Sequence, residues 1–234
     1  MKLTVVEPAY FPTLKICSKI AAADKVIFAD TFKFKKHSLI NRTPVKSDCG
    51  KLWLTIPVYT KGQKNTLVHR VKIVKNDRWK NSHLKTLYNH YHNAPYFYFY
   101  IEQIQDLLSQ SLSLDQLLLQ TCLFSMRSLH LSSLMIKSSD LVSVQDRTER
   151  VIRWLEATGC TIYLLESFEK NLIDIKMVTD KGFDIYIQEP YFKSYHQQYK
   201  GFIENLSILD LVFNEGELSQ FLVPPARLSN ISKQ

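Results

Sequence analysis

Glycine is scarce in this chain, and no two glycines stand close together. The six lie singly at Gly50, Gly62, Gly159, Gly182, Gly201 and Gly216. Neither a phosphate-cradling P-loop nor a dinucleotide fingerprint can be assembled from them, which disfavours nucleotide binding through a glycine-rich loop. The four cysteines, Cys17, Cys49, Cys122 and Cys160, include no CxxC pair, so no structural zinc site of the usual spacing is expected. A G-x-S-x-G elbow and an H-E-x-x-H helix are also missing. The opening MKLTVVEPAY reaches Glu7 and Pro8 before any long apolar run, so no secretory signal is expected. No window approaches about eighteen uncharged apolar residues, so no membrane span is expected either. These absences suit a reducing, cytoplasmic setting with free thiols.

What is present is the composition of a folded protein. The 234 residues are 45% hydrophobic and 22% charged, which is ordinary for a globular chain and enough to bury a core without staples. No internal repeat, low-complexity tract or linker interrupts it, so residues 1–234 read as a single domain. Thirty basic against twenty-two acidic side chains give a net charge of +8. That charge suits anionic partners such as phosphates, nucleotides, RNA or membrane surfaces, or simply a basic surface. Part of it is local: Lys33, Lys35, Lys36 and Arg42 sit close together, with His37 among them.

The pattern predicts a mixed, largely parallel α/β sheet. Leu3–Val6 is too short for a helix and ends at Glu7-Pro8, so it reads as a strand. Pro8 and Pro12 bracket a stiff loop. Thr13 to Ala23 has helical spacing with Thr13 as its N-cap, and Val26–Ala29 is a second strand closed by Asp30. Strand, helix, strand with short joints is the pattern of a parallel pair, and sites gather at the carboxyl ends of such strands. Further on, strands are expected at Lys51–Tyr59 and Val68–Val74, with an exposed loop from Tyr59 to Asn65. A helical section follows, about 77–135, containing helices near 77–93 and 113–130 and a short strand at Met135–Ile136. Val144–Thr158 reads as a helix closed by Gly159. Strands at Ile162–Leu164 and Phe183–Gln188 and a helix over Phe202–Phe213 complete a C-terminal part of about 160–216. Residues 227–234 are expected to fray.

His83, His90 and His92 lie near one helix, and His83 shares a face with Trp79 and Leu87. Packing or surface roles fit these histidines better than metal ligation. The block Tyr96–Tyr100 reads as core aromatics rather than a base-stacking platform. The opening region is left as the candidate site, with Glu7, Tyr10, Asp30, Lys33, Lys36, Asn41 and Arg42. Carboxylates at two strand ends could receive a proton. Lys36 and Arg42 could hold a phosphate or carboxylate, and Asn41 could orient a carbonyl. The same residues would also serve as turn caps and solvated cations.

EPAYFP at Glu7–Pro12, the segment Asp30–Arg42, WLTIPV at Trp53–Val58, Trp79, His83, Ala94-Pro95-Tyr96-Phe97, Tyr195, Gln197, Phe202 and LSILDLVFNEG at Leu206–Gly216 together resemble the WbqC-like family. The resemblance covers nearly the whole chain and is weakest between about 101 and 158. It departs where the family carries His-Gln-Pro-Asn: Val6, Glu7 and Ala9 stand there, with Lys33 for the usual glutamine and Leu39 for the usual tryptophan. The resemblance implies transfer of an acyl or aminoacyl group, glycyl in the suggested cases, to an amine on an amino sugar, in bacterial O-antigen, other surface-glycan or specialised-metabolite biosynthesis. The candidate site then reads with Asp30, Glu7 and Asn41 in catalysis and Tyr10, Lys33, Lys36, Arg42 and His83 in substrate binding; the resemblance supports Tyr10, Asp30, Lys36, Asn41 and Arg42, and Glu7 is the nearest substitute for the histidine replaced by Val6. The implied partner is a phosphate-bearing small molecule, a nucleotide sugar or an activated acyl donor. It leaves nucleic acid disfavoured with tRNA open, and specifies no cofactor. An ATP-dependent ligase of nucleotidylyltransferase type and a non-catalytic binder of RNA or an anionic ligand are the alternatives.

Overall fold

The computed structural model describes residues 1–59 and 65–232. The expected loop at Tyr59–Asn65 falls largely outside the described residues. At the centre of the fold is β1 (Lys2–Val6). It pairs in parallel with β2 (Lys25–Phe28) on one side, Val5 opposite Ile27, and with β6 (Ile162–Leu165) on the other, Leu3 opposite Tyr163. Beyond β2 lies β5 (Leu134–Lys137), and beyond β6 lies β7 (Asp184–Glu189), both parallel. The outermost strand, β8 (Arg227–Asn230), runs antiparallel to β7. The sheet order is therefore β5-β2-β1-β6-β7-β8, a mixed and mostly parallel α/β sheet.

Because strand side chains alternate between faces, the sheet supports two cores. Val6, Val26, Phe28 and Leu164 face the larger one, packed under α1 (Leu14–Ala21) and the elements inserted between β2 and β5. Leu3, Ile27, Tyr163, Leu165 and Ile185 face the smaller one, covered by α5 (Arg147–Thr158) and α6 (Ile175–Thr179). The Asp146 carboxylate accepts the Glu149 N–H at 2.8 Å, and Gly159 closes α5 in the left-handed conformation at φ 65°. Both are the devices a helix uses to satisfy its end groups.

The inserted region holds a hairpin of β3 (Arg42–Ser47) and β4 (Gly50–Thr55), then α2 (Arg78–Tyr91), α3 (Phe97–Ser109) and α4 (Leu114–Ser128). The C-terminal part adds α7 (Ile208–Glu215) and the short α8 (Ser219–Leu222).

Several expectations need correcting. Val68–Val74 is not a strand. Val68–Arg70 forms a tight helical turn, and only Ile73 bridges, to Val58. Val68 and Val71 are both buried, so the spacing read as alternation is the three-residue spacing of that turn. The helix expected from Phe202 begins only at Ile208, because Ser207 accepts the Leu209 N–H and caps it there. Residues 227–230 do not fray: they cover the β7 edge, and Ile231 is buried behind them. Thr13 occupies the N-cap position of α1 but makes no side-chain cap bond. The aromatic block divides by helical period, with Phe97 and Tyr100 buried and Tyr98 and Phe99 exposed.

Candidate functional site

Along the sheet the chain steps outward from β1 to β2 to β5, then returns to β6 on the other side of β1. That reversal makes a switch point between the carboxyl ends of β1 and β6, where doubly wound sheets bind their ligands. The loop after β1 begins with Glu7, and Glu166 follows β6. Each acid is engaged by a lysine: Glu7 with Lys35 at 2.7 Å in the open, and Glu166 with largely buried Lys19 at 2.6 Å.

The proline-framed loop turns inward at its middle. Tyr10 and Phe11 are fully buried, and Phe11 holds a positive φ of 42°, a conformation costly for a bulky residue. Two hydroxyls fix it: Thr43 and Ser207 both donate to the Phe11 carbonyl, at 2.9 and 3.1 Å. The Tyr10 ring meets His83 on α2, with the phenol 3.1 Å from Nδ1. His83 Nε2 lies 3.2 Å from the Thr55 carbonyl. A carbonyl only accepts, so Nε2 carries the proton and Nδ1 accepts from Tyr10. Burial pushes the imidazole down to about 4, against a weaker upward pull from the Thr55 carbonyl. His83 is therefore a neutral link inside the protein, with both ring nitrogens used.

Asn41 and Arg42 lie where the polypeptide enters the hairpin. The Asn41 Nδ2 donates to the Ile56 carbonyl at 3.1 Å, which fixes the amide orientation. Its Oδ1, in a side chain only 6% exposed, has no partner among the described residues, and neither has the buried Nε of Arg42. The Arg42 guanidinium lies over the Trp53 ring, 4.1 Å from its centroid. A buried acceptor and a buried donor on consecutive residues are thus left without partners among the described residues. The free Oδ1 can accept an incoming N–H, and the second hydrogen of Nδ2 remains a donor.

Asp30, at the end of β2, is buried and fully engaged. Its Oδ1 accepts from the Ser138 hydroxyl at 2.8 Å and the Ser139 N–H at 2.9 Å, and Oδ2 accepts from the Ser139 hydroxyl at 2.7 Å. These bonds tie the end of β2 to the end of β5. Lys33 and Lys36 are exposed. The expected residues thus gather as an interior pair, Tyr10 with His83, a hairpin entrance, Asn41 with Arg42, an anchored Asp30, and an outer rim of Glu7 and lysines.

A second polar centre was not foreseen as a site. Asp210, wholly buried on α7, accepts from the phenols of Tyr91 at 2.7 Å and Tyr195 at 2.6 Å. The Tyr91 oxygen in turn accepts the Lys46 N–H at 2.6 Å, and the buried Lys46 ammonium donates to the carbonyls of Tyr199 and Gly201. Burial raises the Asp210 carboxyl, opposed by the two phenols and Lys46, and lowers the Lys46 ammonium, opposed by Asp210. The sequence signal was an acid inside the apolar run LSILDLVF, which calls for buried partners.

Among the described residues no three His, Cys, Asp or Glu side chains converge as a metal site requires. Two surface depressions lie away from the switch point, one beside Leu141, Val142 and Trp154, the other beside Asp24, His130 and Ser133. No helix among the described residues is long and apolar enough to cross a membrane.

An uncharacterised protein of Mycobacterium tuberculosis, Rv1507c, is 26% identical over 223 residues, covering 92% of this chain and 94% of its own. No solved structure matches the chain significantly. The WbqC-like protein family matches residues 7–220, from the loop after β1 into α8. The chain belongs to the WbqC-like protein family.

Proposed function

We propose that this protein transfers an acyl or aminoacyl group to an amine, in keeping with an amino-sugar acceptor of bacterial surface-glycan or specialised-metabolite biosynthesis. The observation that carries the reading is the pair of unpartnered buried atoms, Asn41 Oδ1 and Arg42 Nε. In this scheme Arg42 holds the anionic part of a substrate through its remaining N–H donors, and Asn41 Oδ1 receives an N–H of the acceptor amine. The amine nitrogen attacks the acyl carbon, the carbon–nitrogen bond forms, and the bond to the activating group breaks. The proton released by nitrogen passes to Glu7, whose exposed carboxylate lies beside Lys35, and from there to the leaving group. Asp30 positions the strand ends, since Ser138 and Ser139 engage both its oxygens.

A second reading, an ATP-dependent ligase of nucleotidylyltransferase type, is favoured by the strand order, which nucleotide-binding doubly wound sheets also use. Pyrophosphate release from ATP and a carboxylate would identify it. The transfer reading is tested by glycan acylation in cells carrying Arg42→Ala or Glu7→Gln. Each should lower acylation at least tenfold with protein levels unchanged, and unaltered acylation in both would overturn the assignment.

A further inference from the structure

The positive charge of this protein is concentrated in one stretch. Residues 31–76 contain eleven lysines and arginines and a single acid, Asp48, an excess larger than the +8 of the entire chain. The remainder of the sequence is therefore slightly acidic. Most of these cations face solvent: Lys33, Lys36, Lys51, Arg70, Lys72 and Lys75 are exposed. Among the described residues, Lys35 alone in the stretch forms a salt bridge, to Glu7, and buried Lys46 has the Asp210 carboxylate as its counter-charge. Elsewhere on the surface, lysines and arginines do find acids, as in Lys80–Asp77, Lys137–Asp115 and Arg153–Glu149.

Short backbone pairings join residues 31–59 to residues 65–76. Phe34 N–H donates to the Thr66 carbonyl and Val68 N–H to that of Phe32, while Tyr59 N–H donates to Lys72 and Val74 N–H to Pro57. Exposed aromatic faces lie among the cations. Trp53 is 39% exposed beneath the Arg42 guanidinium, and Tyr59 is 49% exposed across from Lys72. Unpaired cations spread over a surface fit a chain of phosphates better than one phosphate in a pocket. Exposed rings and a guanidinium plane between them fit unstacked bases. β4 alone spans about 20 Å, the length of about six stacked nucleotides at ~3.4 Å each. The stretch is built of strands and turns, without the amphipathic helix that seats a protein on a lipid surface.

We propose that the surface formed by residues 31–59 and 65–76 binds single-stranded nucleic acid, with the lysines on phosphates and Tyr59 and the Arg42–Trp53 stack on bases. This goes beyond the transfer reading and shares only Arg42 with it; its test changes no Arg42 and reads binding, not acylation.

The test is a fluorescence titration of fluorescein-labelled twelve-nucleotide oligo(U) against the intact protein between 50 and 300 mM salt, repeated with oligo(dT). Wild type should bind with a slope of log affinity on log salt of about −2 to −4, as three to five phosphate contacts give on a single strand. The variant Lys51→Ala/Lys72→Ala/Lys75→Ala should flatten that slope by about 2 and weaken binding at least tenfold at the lowest salt. Tyr59→Ala should weaken binding at least fivefold with the slope unchanged. The control Lys85→Ala/Lys170→Ala/Lys181→Ala, which removes equal exposed charge elsewhere, should behave as wild type. Oligo(U) bound more tightly than oligo(dT) assigns RNA as the source, and the converse DNA. Absence of binding at 50 mM salt, equal loss in the control, or tighter binding to phosphatidylserine vesicles than to either oligonucleotide would each overturn the proposal.

Discussion

Acid should loosen this protein through His83 before it protonates most of the surface carboxylates. The ring is buried, donates to the Thr55 carbonyl and accepts from Tyr10, and its titration is pushed from 6.5 to about 4. In the unfolded chain the same ring takes a proton near 6.5. Between these values the unfolded state binds one more proton than the folded state. Stability is therefore fully present above pH 6.5 and falls as pH drops towards 4, by about 1.4 kcal/mol per pH unit. Over the whole interval that amounts to about 3 kcal/mol, a large part of the stability of an ordinary domain. Urea unfolding at pH 7.0, 5.5 and 4.5 would measure it for wild type and for His83→Gln, whose amide offers a donor and an acceptor but does not titrate. Other groups contribute equally to both curves, so the difference between them isolates His83. Wild type should lose about 2.5 kcal/mol more than the variant between pH 7.0 and 4.5. Parallel curves would refute it, and so would a Tyr10→Phe protein as stable as wild type, since that change strands Nδ1 without a donor at a cost of about 1–3 kcal/mol.

Two further outcomes follow from the packing. Asp210→Asn should lower stability by about 3 kcal/mol, because it weakens two phenol bonds and leaves the buried Lys46 charge without its counter-charge; urea unfolding at pH 7 reads this directly, and a loss below 1 kcal/mol would be too small for the network described. Gly216→Ala should cost about 1–2 kcal/mol, since φ is +54° and a Cβ there would sit 2.6 Å from the Tyr96 ring; Gly216→Ala combined with Tyr96→Ala should recover part of that loss in thermal melts if the ring is the obstacle.

How far the sequence showed this protein depended on how local the signal was. β1, α1 and β2 were readable because short apolar runs and helical spacing occur between prolines and acids, and the neighbours they need are close in the chain. His83 was readable as a packed residue because Trp79, Leu87 and His83 recur at four-residue spacing and all are buried. β3 was hidden: RTPVKS contains a proline and two cations, and its burial depends on α2 and α7, distant in sequence. β8 was hidden for a related reason, since an edge strand needs no apolar run and RLSN looks like a polar tail. Of the candidate site, residue types at the strand ends were legible, but not which were already occupied. The three donors on Asp30 come from Ser138 and Ser139, more than a hundred residues away. Asn41 and Arg42 stand out only once the other groups have found their partners.

The position of β1 has a consequence for how this protein is made. It is synthesised before the other strands of its sheet and lies inside the finished sheet, and its partner β6 lies 160 residues further on, with Lys2 opposite Ile162. At about 5–20 residues per second, the nascent chain waits about 8–32 s before that partner exists. During that time β1 and β2 can pair, yet the other edge of β1 is open, flanked by apolar Leu3, Val5 and Val6. Such an edge is a template for the wrong strand, from the same chain or another. The vulnerable moment for this molecule is thus its synthesis, and shielding of Lys2–Val6 on the ribosome should govern the yield of folded protein.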